Sequence, residues 1–101
     1  MDKIYELAYV LEHIEEFNWS DALFLPEDEK WNLKTKCMIL DPDDVDEVPK
    51  QDAKKNLIYT LDIQTIQSIN KNAYEQKKDC SRTDLVEAFL YYYDYDAYIK
   101  F

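Results

Sequence analysis

The chain contains no glycine in 101 residues. Glycine takes positive φ without steric cost and lets backbone approach a phosphate closely, so folds built on glycine-rich loops are closed to this sequence. Walker, dinucleotide-binding and EF-hand loops are excluded on that ground. Left-handed helix ends must fall to residues that tolerate that region, and Asn18 and Asp94 are the expected caps.

A chain of this length makes one domain, domains usually running to about 100–150 residues. Residues 1–101 are therefore read as a single unit without internal repeats. Hydrophobic residues are 47% of the total and aromatics 15%, which is enough for a packed core and too many for a disordered acidic tail.

Periodicity supplies the elements. Ile4, Leu7, Ala8, Leu11 and Ile14 recur at three- and four-residue steps, predicting a helix from an Asp2 cap to about Phe17. Ala22 to Leu25 reads as a short extended piece halted by Pro26. Trp31 to Ile39 alternates at period two, predicting a half-buried strand with Trp31, Leu33, Cys37 and Ile39 inward. Asp41 to Pro49 is a loop, and Pro49 to Asn56 a short helix with proline in its first turn. Leu57 to Leu61 is a second strand. Asp62 then caps a helix that buries Ile63, Ile66, Ile69 and Ala73 and fades through Gln76-Lys77-Lys78. Ser81-Arg82-Thr83-Asp84 resembles a capping box and opens a helix to about Tyr93 that buries Leu85, Val86 and Phe89. Ala97 to Phe101 suits a final strand. Segregated helices and short strands predict an α+β fold, a short antiparallel sheet packed by three main helices.

Charge narrows the function. The formal net charge is −10, and residues 1–49 alone hold fourteen acids against four lysines. Residues 50–78 carry +3 and residues 79–101 carry −3. Nucleic acids and anionic membranes are bound through Lys and Arg, so neither is an expected direct partner. The start Met1-Asp2-Lys3-Ile4-Tyr5-Glu6 lacks the pattern of a secretory signal, and two cysteines suit a reducing compartment; a cytoplasmic location is expected.

Catalytic chemistry finds few candidates. His13 is the only histidine and lies off the apolar stripe of its helix, which reads as a surface position. Cys37 belongs to the inward face of a strand and behaves as a small hydrophobe. Cys80 precedes a helix start, where a thiolate gains some stabilisation, but it has no basic neighbour in sequence. Three Cys and His in total cannot make a zinc site by themselves, and the acidic run from Asp41 to Glu47 lacks the glycine and the distant Glu of a calcium loop. The expectation is a protein that is not an enzyme and has no metal or cofactor.

Two features exceed what folding needs. Glu27, Asp28 and Glu29, followed by Asp41, Asp43, Asp44, Asp46 and Glu47, concentrate like charges that repel one another and would steer a basic partner. Residues Tyr91 to Tyr98 hold five of the nine tyrosines. Successive helical residues point about 100° apart, so Tyr91, Tyr92 and Tyr93 cannot all be buried. Tyr91 and Tyr95, interleaved with Asp94 and Asp96, are the candidate contact residues for a basic ligand, tyrosine being enriched at binding hot spots.

Phe17-Asn18-Trp19, Leu23-Phe24-Leu25-Pro26, Thr35-Lys36-Cys37 and Leu40-Asp41-Pro42-Asp43-Asp44 resemble an uncharacterised family of small acidic bacterial proteins. So do Leu61 to Ile69, Glu87 to Asp94 and Asp96-Ala97-Tyr98-Ile99. Members of this general type are similar to immunity proteins of contact-dependent growth inhibition and related toxin systems. The resemblance implies a module that neutralises a cognate toxin domain, often a nuclease, and assigns no site residue. The charge suits that role, because a nuclease needs a basic groove that carboxylates can occupy. Rival readings are a nucleic-acid mimic that inhibits a DNA-binding or restriction protein, a small carboxylate-site metal enzyme, and a subunit of a larger assembly with tyrosines in a homodimer.

Overall fold

Ala22–Pro26 is buried at all five positions, and the rest of the sheet is arranged around it. A computed structural model describes residues 3–43 and 57–101. In chain order the described elements are β1 (Ile4–Glu6), α1 (Leu7–Glu12), a 3₁₀ turn (Ile14–Glu16), β2 (Ala22–Pro26), β3 (Lys36–Leu40), β4 (Leu57–Asp62), α2 (Ile63–Gln76) and α3 (Arg82–Tyr95). The strands form one antiparallel sheet in the order β1-β3-β2-β4. Three α-helices and a four-stranded antiparallel sheet make the fold α+β, as the sequence predicts.

Side chains alternate across a strand, and the two faces of the sheet have different fates. Leu23, Leu25 and Cys37 join Leu7, Leu11, Ile63, Ile66, Leu85 and Phe89 in the main core, which lies between one sheet face and the helices. Ala22, Phe24, Met38 and Leu40 form a second buried cluster on the other face. The register carries that face outward along one row, Ile4 opposite Met38, Met38 opposite Phe24, and Phe24 opposite Tyr59.

A β-bulge sits in the β2–β4 pairing. Leu23 pairs with Leu61 and Phe24 with Tyr59, leaving Thr60 as the extra residue. Its hydroxyl donates to the Leu23 carbonyl at 2.7 Å. The extra residue reverses the parity of β4, so Leu61 packs on the main core while Tyr59 meets Phe24 edge-on at 5.9 Å on the opposite face.

The two long helices follow their sequence signals. Asp62 Oδ1 accepts the Thr65 N–H at 2.7 Å and caps α2. Ser81 Oγ accepts the Asp84 N–H at 3.1 Å, and Asp84 Oδ2 accepts the Ser81 N–H at 3.0 Å, completing the capping box of α3. Lys77 Nζ lies 3.0 Å from the same Asp84 oxygen.

Elsewhere the structure departs from expectation. The predicted helix of residues 2–17 is a strand, a six-residue helix and a 3₁₀ turn, because Ile4, Tyr5 and Glu6 pair with Met38, Cys37 and Lys36. Sheet pairing outweighs periodicity here, and Ile4, on the apolar stripe of the helical reading, is 55% exposed. The Asp2 cap falls outside the described residues. Strand β3 starts at Lys36, not Trp31. A turn in which the Asn32 N–H donates to Thr35 Oγ1 and the Thr35 N–H to the Asn32 carbonyl diverts the chain first. Trp31 and Leu33 still pack against the main core, and the Trp31 indole N–H donates to the Pro26 carbonyl at 2.6 Å. Residues 97–101 form no strand; Gln76 holds this tail instead, donating to the Ile99 carbonyl and accepting the Phe101 N–H. Asn18 and Asp94 are not left-handed caps. Asp96, at φ 53° and ψ 39°, is the one residue with positive φ among those described. The predicted helix 49–56 lies outside the described residues.

Candidate functional site: the acidic end of the sheet

Antiparallel pairing decides which carboxylates meet. Ala22 stands opposite both Leu40 and Asp62, so Asp21, Asp41 and Asp62 gather at one end of the sheet. Asp21 is half-buried, and its carboxyl is pushed above the ordinary range by burial first and then by the charge of Asp41. Its backbone carbonyl accepts the Ile63 N–H at 2.9 Å, tying the end of the sheet to the start of α2. Asp41 is exposed, and its Oδ1 accepts the Asp43 N–H at 2.9 Å, which holds Asp43 in the same turn.

The carboxyl-terminal turn of α3 faces both ends of the sheet: the charge of Asp62 reaches Tyr92, while Tyr93 meets Trp31, whose indole donates to the Pro26 carbonyl at the other end of β2. Burial raises the Tyr92 phenol first, and the charge of Asp96 follows, with smaller effects from Tyr98 and Asp62. Tyr92 also packs on the main core and lies 5.5 Å from the Tyr98 ring. Tyr93 turns the other way and meets Trp31 at 5.0 Å. Tyr91 and Tyr95, one helical turn apart, contact each other at 4.7 Å and are 37% and 67% exposed. The helix therefore half-buries one tyrosine and leaves several at the surface, as its geometry requires.

Asp94 and Asp96 sit where a helix least favours them. The carboxyl end of a helix carries partial negative charge and is stabilised by cations, yet the last turn of α3 has no basic residue. Asp96 closes that end, donating its N–H to the Tyr92 carbonyl at 2.7 Å.

Glu27, Asp28 and Glu29 do not belong to this group. They follow Pro26, at the opposite end of β2 from Ala22. A five-residue strand spans about 13 Å, beyond the Debye length of about 8 Å at physiological salt. The expected acidic patch is thus divided between two ends of the sheet. Asp44, Asp46 and Glu47 lie outside the described residues.

Sequence reasoning missed three members of the site. Asp21 reads as a breaker and Asp62 as a cap, and only the pairing of 22–26 with both 36–40 and 57–62 would have joined them to Asp41. The third is Trp19, 63% exposed in the turn that leads into Asp21. Asn18 fixes that turn, its Oδ1 accepting from the Ser20 N–H at 3.0 Å and the Ser20 hydroxyl at 2.9 Å, and its carbonyl from the Asp21 N–H at 3.0 Å.

Other reactive groups stand apart from this end. Burial pushes the Cys37 thiol up to about 12. Cys80 is also raised, by burial and then by Asp84, which outweighs any benefit from its place before α3. His13 Nδ1 lies 2.8 Å from Glu16 Oε2, and its ring stacks on Tyr9 at 4.3 Å. Among the described residues no group of three or more His, Cys, Asp or Glu is placed to hold a metal ion, so Asp21, Asp41 and Asp62 share an end without converging on a point. No helix among the described residues is long and apolar enough to cross a membrane.

Trp19 is exposed in the turn before Asp21, and α3 ends in the exposed Tyr91 and Tyr95 with Asp94 and Asp96. The chain belongs to the family described as a domain of unknown function, DUF7716, whose sequence model matches residues 4–101. No curated protein and no solved structure matches it.

Proposed function

We propose that this protein is an immunity-type binding module that holds and neutralises a cognate basic toxin domain, a nuclease, through the acidic end of its sheet. The observation that carries this reading is the placement of carboxylates against the interest of the fold. Asp21 is raised by burial and by Asp41, and Asp94 and Asp96 load the negative end of the α3 dipole. A cationic surface would relieve these contacts on binding. Trp19, Tyr91 and Tyr95 supply large aromatic area beside them, the residue types that anchor interfaces, and the carboxylates steer the approach. Neither inhibition nor binding needs a catalytic group in this chain. The nucleic-acid mimic draws less support, because its carboxylates would have to follow a phosphate-like row and they gather instead at separate ends.

The test uses the tagged full chain as bait in lysate of its native host, eluted with a salt gradient and read by mass spectrometry. The expected result is a basic domain that elutes only at high salt, is toxic when expressed alone, and is silenced by co-expression of this protein. Capture of a DNA-processing host enzyme with no toxicity would replace this reading with mimicry. Loss of nothing on combined Asp41→Asn, Asp43→Asn, Asp94→Asn and Asp96→Asn substitution would remove this end from the interface.

A further inference from the structure

A groove of about 590 Å³ runs between the end of α1 with its 3₁₀ turn and the polar face of α2, from Gln64 in the first turn of α2 to Glu75. We infer that it is a binding site for a primary alkylammonium group, carried by a free polyamine or by a lysine side chain of another protein. Its lining mixes apolar surface with donors and acceptors, and two carboxylates and one buried amide oxygen in it lack a partner among the described residues. Asn70 is 4% exposed; its side-chain N–H donates to the Leu11 carbonyl at 2.7 Å, and its Oδ1 has no hydrogen-bond partner among the described residues. A buried acceptor without a donor is a departure from ordinary protein interiors. Glu15 and Glu75 stand on the rim with no ion-pair partner among the described residues, against the single cation Lys71. Glu12 also lines the groove but is already matched by Arg82 at 2.8 Å.

The shape of the lining selects the ligand. Ile14 offers an apolar wall for an alkyl stem, and the 40% exposed Tyr74 ring offers a π face to a cation. Asn70 Oδ1 is shut off from bulk water, and Asn70 is among the residues that line the groove between the 3₁₀ turn and α2. An ammonium on an unbranched stem enters more readily than a flat guanidinium, and it brings the positive charge that Glu15 and Glu75 accept.

Two-dimensional NMR of the full chain tests this, with 1,4-diaminobutane and amide-capped lysine as separate probes. The expected result is a saturable shift of the Asn70 side-chain amide and of the Ser68 and Tyr74 backbone amides. Combined Glu15→Gln and Glu75→Gln, both exposed positions, should weaken binding by about fivefold or more, the scale of two partly exposed charge contacts. Substituting Asp41, Asp43, Asp94 and Asp96 with Asn should leave it unchanged, which separates the groove from the acidic end. A response to the diamine alone assigns a free amine as ligand, and a response to capped lysine alone assigns a protein side chain. No saturable shift with either probe, or shifts confined to the acidic end, would overturn the inference.

Discussion

Thr60 fixes the parity of β4 by one hydrogen bond. Its hydroxyl holds the bulge against the Leu23 carbonyl, and with it the opposite facings of Leu61 and Tyr59. Thr60→Val keeps the shape and removes the donor, and should lower unfolding free energy by about 1–2 kcal/mol, seen as a lower urea midpoint with unchanged slope. Cys37 gives a second test at this scale. Its folded pKa is about 12 against a reference near 9.0, so the unfolded chain releases the thiol proton first as pH rises. The stability tied to the neutral thiol is therefore complete below about pH 9 and declines as pH climbs toward 12. Cys37→Ser should flatten stability measured across that window; an unchanged alkaline slope would contradict the assignment. Neither residue advertises its role in the sequence. Thr60 continues an ordinary strand pattern, and a bulge becomes visible only when its partner strand is known.

At the level of elements, α2 and α3 were legible because each opens on a capping side chain and keeps its apolar period. Strand β1 was not, since Ile4, Leu7 and Leu11 fit a helical stripe and three residues are too few to show alternation. The start of β3 misled for another reason: Trp31 and Leu33 are inward, as alternation requires, but they reach the core from a turn held by Asn32 and Thr35. The left-handed cap moved from Asp94 to Asp96 because α3 runs through Tyr95. That end of α3 carries a trade-off. Asp94→Lys should raise stability by about 0.3–1 kcal/mol by complementing the helix dipole, measured by chemical denaturation, while weakening capture of the basic partner. A variant that gains stability and loses nothing in binding would dissociate this end from function.

For the whole molecule, the formal charge of −10 is a standing repulsion that salt screens. Raising ionic strength should accordingly raise Tm in thermal melts, and a falling Tm would indicate that attractive pairs such as Lys77–Asp84 and Arg82–Glu12 outweigh the repulsion. The acidic character was plain in the sequence, but its layout was not, because the register of β2 between β3 and β4 decides which acids are neighbours. Glu27 to Glu29 and Asp41 look continuous along the chain and are separated by the length of a strand. Asp21, Asp41 and Asp62 are far apart along the chain and share an end. The most direct measurement compares association rates with the captured basic domain across a salt series for two multiple variants. One replaces Asp41, Asp43, Asp94 and Asp96 with Asn; the other replaces Glu27 and Glu29 with Gln and Asp28 with Asn. The first should associate about tenfold more slowly at low salt with a flattened salt dependence, the scale of electrostatic steering, while the second stays close to the parent. Equal behaviour of the two, or an undiminished rate in the first, would contradict the assignment of function to this end of the sheet.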